Sequence, residues 1–305
     1  ATAYANHGQA MIPFYIYYSM FGFQRVGDLV WAAGDMQARG FLLGGTAGRT
    51  TLAGEGLQHQ DGHSQIVAST IPNCVSYDPA FAYELAVIVQ DGMRRMYQER
   101  ENCFYYITVM NENYPMPAMP EGAEDGIRRG IYRFSAAETG KHRVQLLGSG
   151  TILREVIAAS ELLARDFDVA ADVWSVTSFN ELRRDGIDAE RWNMLHPDAS
   201  PRLPYVAEQL GETEGPIVAA TDYMRTYADQ IRPYLPRRYF TLGTDGYGRS
   251  DMRSQLRKFF EVNRWYVAVA ALKALADAGE ITPGRVREAI EKYRIDPDKP
   301  NPVTV

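Results

Sequence analysis

Short runs of aromatic and β-branched residues alternate with stretches of helical spacing along this chain, and that alternation most restricts what it can fold into. Phe14 to Tyr18, Gly40 to Leu43, Cys74 to Tyr77 and Cys103 to Met110 have strand composition, while Val26 to Ala38 has helical composition. After Tyr77 the apolar positions Leu85, Val89 and Met93, with Ala82 and Ala86, fall at helical spacing. Asp78 is the expected cap of that helix and Pro79 stands in its first turn. The rhythm resumes with strands at Val144 to Leu147, Val173 to Val176, Ile217 to Ala220 and Tyr239 to Leu242. Helices are expected at Ile152 to Leu163, Met252 to Phe260, Trp265 to Ala278 and Arg285 to Tyr293. Strands alternating with helices predict an α/β protein with mainly parallel sheets flanked by helices and right-handed crossovers.

Between the two halves lies Asn111 to Gly126, with Pro115, Pro117, Pro120 and Gly122. It is the best domain boundary in the 305 residues, and it divides them into 1–120 and 121–305. The opening Ala1-Thr2-Ala3-Tyr4 has no methionine and no signal pattern, and Met11 to Tyr18 follows as what reads as a fully formed, buried core strand. A trimmed terminus and the C-terminal piece of a longer chain both fit that start.

Composition narrows the function classes. With 46% hydrophobic and 23% charged residues the chain is globular rather than disordered. A net charge of −6 disfavours a nucleic-acid binder, which needs a basic face. No apolar run reaches the ~18 residues of a membrane span. Two cysteines, Cys74 and Cys103, are too few for a disulfide framework or a cysteine zinc site, so a reducing, cytoplasmic setting is the simplest reading.

The densest set of reactive side chains lies in the glycine-rich segment 44–65: Arg49, Glu55, His59, Asp61, His63 and Ser64. It follows a strand, where open α/β sheets bind ligands, and a loop of that length inside a domain is usually functional or disordered. Histidine moves protons near neutral pH, which favours an active-site loop. A solvated loop with incidental histidines stays open, while Gly56 and Gly62 argue against a helical histidine metal pair. The aromatic run Tyr17 to Phe23 is either a core cluster or a platform for a flat ligand ring. Thr244 to Ser250 has neither the dinucleotide nor the phosphate-loop order, and Gly148-Ser149-Gly150 is a lone glycine turn; both read as tight strand-to-helix connections.

Longer motifs carry a resemblance. Phe14 to Arg25, Gly54 to Ser64, Asn111 to Tyr114, Met119 to Gly122, Arg191 to Asn193 and Leu242 to Ser250 are similar to the homodimeric bacterial pyruvate dehydrogenase E1 components, and the match covers essentially the whole chain. The resemblance implies a transketolase-like thiamine diphosphate enzyme. Residues 1–120 would be most of the pyrimidine-binding domain, incomplete at its N-terminus, and residues 121–305 the transketolase C-terminal domain. The Mg2+- and diphosphate-binding domain, and the glutamate that activates the aminopyrimidine, would lie upstream of this chain. Phe21 matches the aromatic that packs on the aminopyrimidine, with Tyr18 beside it in the wall. His59 matches the active-site histidine, Glu55 belongs to the same cluster, and His63 resembles a histidine of related E1 subunits. The implied partners are a second subunit of a homodimer, the upstream part of E1, the lipoyl-bearing acetyltransferase E2, and pyruvate. A paralogue for 2-oxobutanoate or another short 2-oxo acid, and a non-catalytic module for dimerisation or E2 docking, are the alternatives.

Overall fold

The computed structural model describes residues 7 and 11–305, so the opening Ala1 to Tyr4 lies outside the described residues. Two sheets organise the chain. The first has four parallel strands in the order β1-β2-β4-β3, where β1 is Phe14–Tyr18, β2 Phe41–Gly45, β3 Cys74–Tyr77 and β4 Phe104–Thr108. The second has five strands in the order β5-β7-β6-β8-β9, with β5 Ile131–Ser135, β6 His142–Gly148, β7 Val169–Val176, β8 Ile217–Ala220 and β9 Tyr239–Leu242. Four of its strands run parallel, and β5 pairs antiparallel to β7 across a register shift near Arg133. The sheets are thus mainly parallel, as the alternation predicts, with one antiparallel edge. There Gly130, with φ of +105°, turns the chain straight out of the short helix Ala123–Arg129, so no crossover is needed.

The predicted buried strand at residues 11–18 is corrected. Among the described residues β1 pairs only with β2, and Phe14, Tyr15, Ile16 and Tyr18 are all exposed. Its aromatic side chains are used on both faces: Phe14 stacks on Phe41 at 4.7 Å and, on the opposite face, Tyr17 lies parallel to Tyr106 at 6.3 Å. The first helix, α1, runs from Ser19 to Asp35 and so begins seven residues before the helical composition does. It is interrupted at Val26, whose backbone leaves the helical region. Gly22 sits where a Cβ would lie 1.8 Å from the Tyr17 ring, so this glycine makes room for a neighbouring tyrosine rather than for a ligand.

A second correction concerns Asp78. The helix after β3 starts at Ala82, and its first turn is satisfied by Glu84, which accepts the Ala80 and Phe81 N–H groups. Asp78 is instead fully buried where the two sheets meet. It accepts from Thr108 at 2.7 Å, Ser149 at 2.9 Å and Tyr223 at 3.3 Å. Burial pushes its carboxyl up to about 7; the three hydroxyls pull the other way and nearby Asp222 pushes up again. The folded-state value is above the ordinary 3.8, so its share of stability is complete below about pH 4 and is lost as pH rises through about 7. Urea titrations at pH 5 and pH 8 should therefore show the wild type losing more stability on that rise than Asp78→Asn does. Equal losses in the two proteins would show that Asp78 does not titrate in this window.

Helices Phe179–Leu195, Tyr205–Gly211 and Arg225–Asp229 had no counterpart in the sequence pattern. The first of them buries little more than a narrow strip, Phe179, Leu182, Gly186 and Ala189, so its periodicity is thin. Its start is held by Ser178, which accepts from the Glu181 N–H and donates to Ser76 O, tying it to the first sheet. Both cysteines are buried and unpaired, and burial pushes their thiols up, Cys103 to about 11. No helix among the described residues is long and apolar enough to cross a membrane.

Candidate active site

Residues from three places meet at the carboxyl end of β1. Tyr18 closes that strand, Phe21 stands in the first turn of α1, and His59 ends a short 3-10 turn, Leu57–His59, in the long loop after β2. Ring centroids lie 5.7 Å apart for Tyr18 and His59, 5.1 Å for Phe21 and His59, and 6.0 Å for Tyr18 and Phe21, with the imidazole plane at 63° and 74° to the Tyr18 and Phe21 rings. Arg25, one turn along α1, places its guanidinium 4.1 Å over Phe21. The Nδ1 atom of His59 is buried and has no hydrogen-bond partner, an uncommon state for a polar atom.

His63 points elsewhere. Its Nε2 is 2.8 Å from the Gln24 amide nitrogen, and both residues line a cleft of about 470 Å3 shared with Met20, Met224, Asp245 and Tyr247. The two histidines thus serve adjoining spaces rather than one centre. Glu55 is exposed between Gly54 and Gly56, both with positive φ, and makes no hydrogen bond or ion pair among the described residues. The structure does not bring it onto His59.

The remaining polar residues of the loop are structural. Asp61 is fully buried and accepts the N–H groups of His63 and Ser64 at 3.0 and 2.9 Å, and also the Ser64 hydroxyl. Ser64 in turn accepts from Tyr106 at 2.8 Å. Arg49 is buried and donates to Thr244 O at 2.9 Å and to Gly246 O; burial holds its guanidinium below the usual value although Asp61, Asp222 and Asp245 are near. Asp222, from the loop after β8, accepts the N–H and hydroxyl groups of both Thr50 and Thr51 at 2.6 to 3.1 Å. Arg253 donates to Thr51 O at 2.7 Å, and Met224 N–H donates to Gly62 O at 2.8 Å.

Residues of the second sheet that support the loop were not singled out as functional by composition. Asp222 sits in an unremarkable strand exit, and Thr244 to Ser250 reads as a glycine turn. Only the resemblance of Leu242 to Ser250 to a family motif pointed to that segment. Among the described residues, no three His, Cys, Asp or Glu side chains cluster as a metal site.

The pyruvate dehydrogenase E1 component middle domain matches residues 1–117, and the transketolase-like C-terminal domain matches residues 130–263. The pyruvate dehydrogenase E1 component of Cupriavidus necator is 62% identical over 307 residues, covering 100% of this chain and 34% of that protein. Its counterpart in Escherichia coli K12 is 63% identical over 304 residues, covering 99% and 34%. This chain therefore spans about a third of the length of these relatives. Among solved structures, transketolase from Campylobacter jejuni superposes with a TM-score of 0.67 at 14% identity, over 89% of this chain and 37% of that one, which establishes a transketolase-like fold.

Proposed function

The chain belongs to the pyruvate dehydrogenase E1 component family, and from that premise we infer that it forms part of a thiamine diphosphate enzyme that decarboxylates pyruvate and reductively acetylates a lipoyl group on E2. The meeting of Tyr18, Phe21 and His59 carries this reading. Half-open aromatic rings offer a face to a flat heterocycle, and the unsatisfied His59 Nδ1 beside them is a group that a ligand or water completes.

In this site Phe21 would pack against the aminopyrimidine and Tyr18 would form the adjoining wall. His59 would stabilise negative charge on the substrate carboxylate, or pass a proton to the substrate oxygen on which charge develops. When bound, thiamine diphosphate supplies the carbanion chemistry, which the protein orients. Glu55, on the exposed side of the loop, and His63, in the Gln24 cleft, are secondary members. Residues 1–120 act as the pyrimidine-binding domain and residues 121–305 as the transketolase-like C-terminal domain. Mg2+ is assigned to residues of E1 outside this chain. The partners are a second E1 subunit facing the aromatic and histidine cluster, the rest of E1, and E2 with its lipoyl domain, in the cytoplasm.

One methylene in an apolar pocket changes discrimination by only about 1–3 kcal/mol, so pyruvate and 2-oxobutanoate must be separated by measurement. The complete enzyme should release CO2 from pyruvate only with thiamine diphosphate present, and should acetylate a lipoyl domain. Faster turnover of 2-oxobutanoate than of pyruvate would move the assignment to a paralogue. Absence of cofactor-dependent turnover would leave the chain as a dimerisation or E2-docking module.

A further inference from the structure

The loop that carries His59 follows a strand of the first sheet, yet most of its ties run to the second. Gln60, the residue after His59, is fully buried. Its Nε2 donates to Leu52 O at 2.9 Å, and its Oε1 accepts the Arg249 N–H at 2.6 Å. The neighbouring backbone leaves no slack. A Cβ on Gly248 would lie 2.6 Å from that Oε1 and 2.8 Å from Leu57 O, and a Cβ on Gly56 would lie 3.0 Å from the Ser250 hydroxyl. Residues 248–250 thus lie against both ends of the Leu57–His59 turn.

His59 has no hydrogen bond of its own to aim its ring at Nδ1, and its side-chain neighbours are the edges and faces of Tyr18 and Phe21. Aromatic contacts of that kind are shallow and tolerate sliding. The ring position is therefore inherited from the backbone of the turn. The geometry points to Gln60 as a positioning residue: its amide locks the Leu57–His59 turn between Leu52 and the 248–250 backbone, and so sets where the His59 imidazole stands. In this arrangement the C-terminal domain tunes the active site without touching cofactor or substrate. The inference rests on the proton-handling role proposed for His59.

A double-mutant cycle in the complete E1 dimer tests it. Gln60→Leu keeps the bulk and removes both hydrogen bonds; it should lower kcat by up to about 100-fold, the scale of a misplacement near 1 Å. KM for pyruvate and thiamine diphosphate affinity should change less than about threefold. In a His59→Ala background the same substitution should cost less than about twofold, because a residue acting through another loses its effect when that other is gone. Gly248→Ala, which pushes on the same amide, provides a second entry to the cycle if Gln60→Leu fails to fold, with the same dependence on His59 expected. Equal losses with and without His59, or full activity of Gln60→Leu, overturn the inference and leave the proposed function standing. Full activity of His59→Ala on its own would remove the role of His59, and the inference with it.

Discussion

Replacing His59 with alanine in the complete enzyme should lower turnover by about 100-fold or more while thiamine diphosphate affinity stays within a few-fold. Positioned acid–base groups contribute roughly 10²–10⁴ to a rate. The side chain meets Tyr18 and Phe21 through ring edges and carries a buried, unsatisfied Nδ1. On the proposed role its loss would therefore remove the polar group assigned to the substrate and little of the surface on which the cofactor ring would rest. Steady-state kinetics with pyruvate, paired with a cofactor titration, reads both quantities. Unchanged turnover would sink the role. A parallel collapse of cofactor affinity would recast His59 as part of the binding wall.

The largest stability effect is expected at Arg257. Its side chain is buried between Glu112, which it meets in a direct hydrogen bond, and Glu155 at 3.6 Å. Glu112 lies in the proline-rich connection and also takes Arg154 at 2.7 Å and Arg253 at 3.7 Å, while Glu155 takes Arg264 at 2.9 Å. These cations hold both carboxylates below the usual range against the burial that would raise them. Removing one partner of a buried ion pair costs about 3–5 kcal/mol, because the survivor stays desolvated. Arg154 and Arg264 remain, so Arg257→Ala should fall near 3 kcal/mol, measured by urea denaturation. Arg257→Lys should recover only part of it, since one ammonium lacks the planar fork that reaches both carboxylates. A loss below about 1 kcal/mol would mean that the network is solvated and contributes little.

Much of the architecture was legible in the chain. Strands such as Cys74–Tyr77, Ile217–Ala220 and Tyr239–Leu242 stand where their composition put them; Ile217–Ala220, buried on both faces, is written as an unbroken apolar run. What failed was context. The residues of β1 have core composition but lie at a sheet edge, and composition does not say how many neighbours a strand has. Asp78 followed by Pro79 has the pattern of a helix start, yet the carboxylate was drawn to the hydroxyls between the sheets, and Glu84 took the capping work. Helix Phe179–Leu195 escaped notice because its polar residues outnumber its buried ones. At the site, family-like motifs pointed to Tyr18, Phe21 and His59, and geometry gathers them. Gln60 and Asp222 were silent, since their importance lies in partners about 170 to 190 positions away.

The stitching of the 49–62 loop onto the second sheet bears on how such chains can be recombined. The proline-rich stretch at 111–126 looks like the natural seam, and a chimera of two relatives would be cut there. That cut would take Thr50 and Thr51 from one parent and Asp222 from the other, and would separate Gln60 from the backbone at Arg249. It would also fall beside Glu112, parting it from Arg154 and Arg257. In this fold the unit of inheritance is the loop together with its anchors, so the two halves are exchangeable only between parents that agree at both ends of each tie.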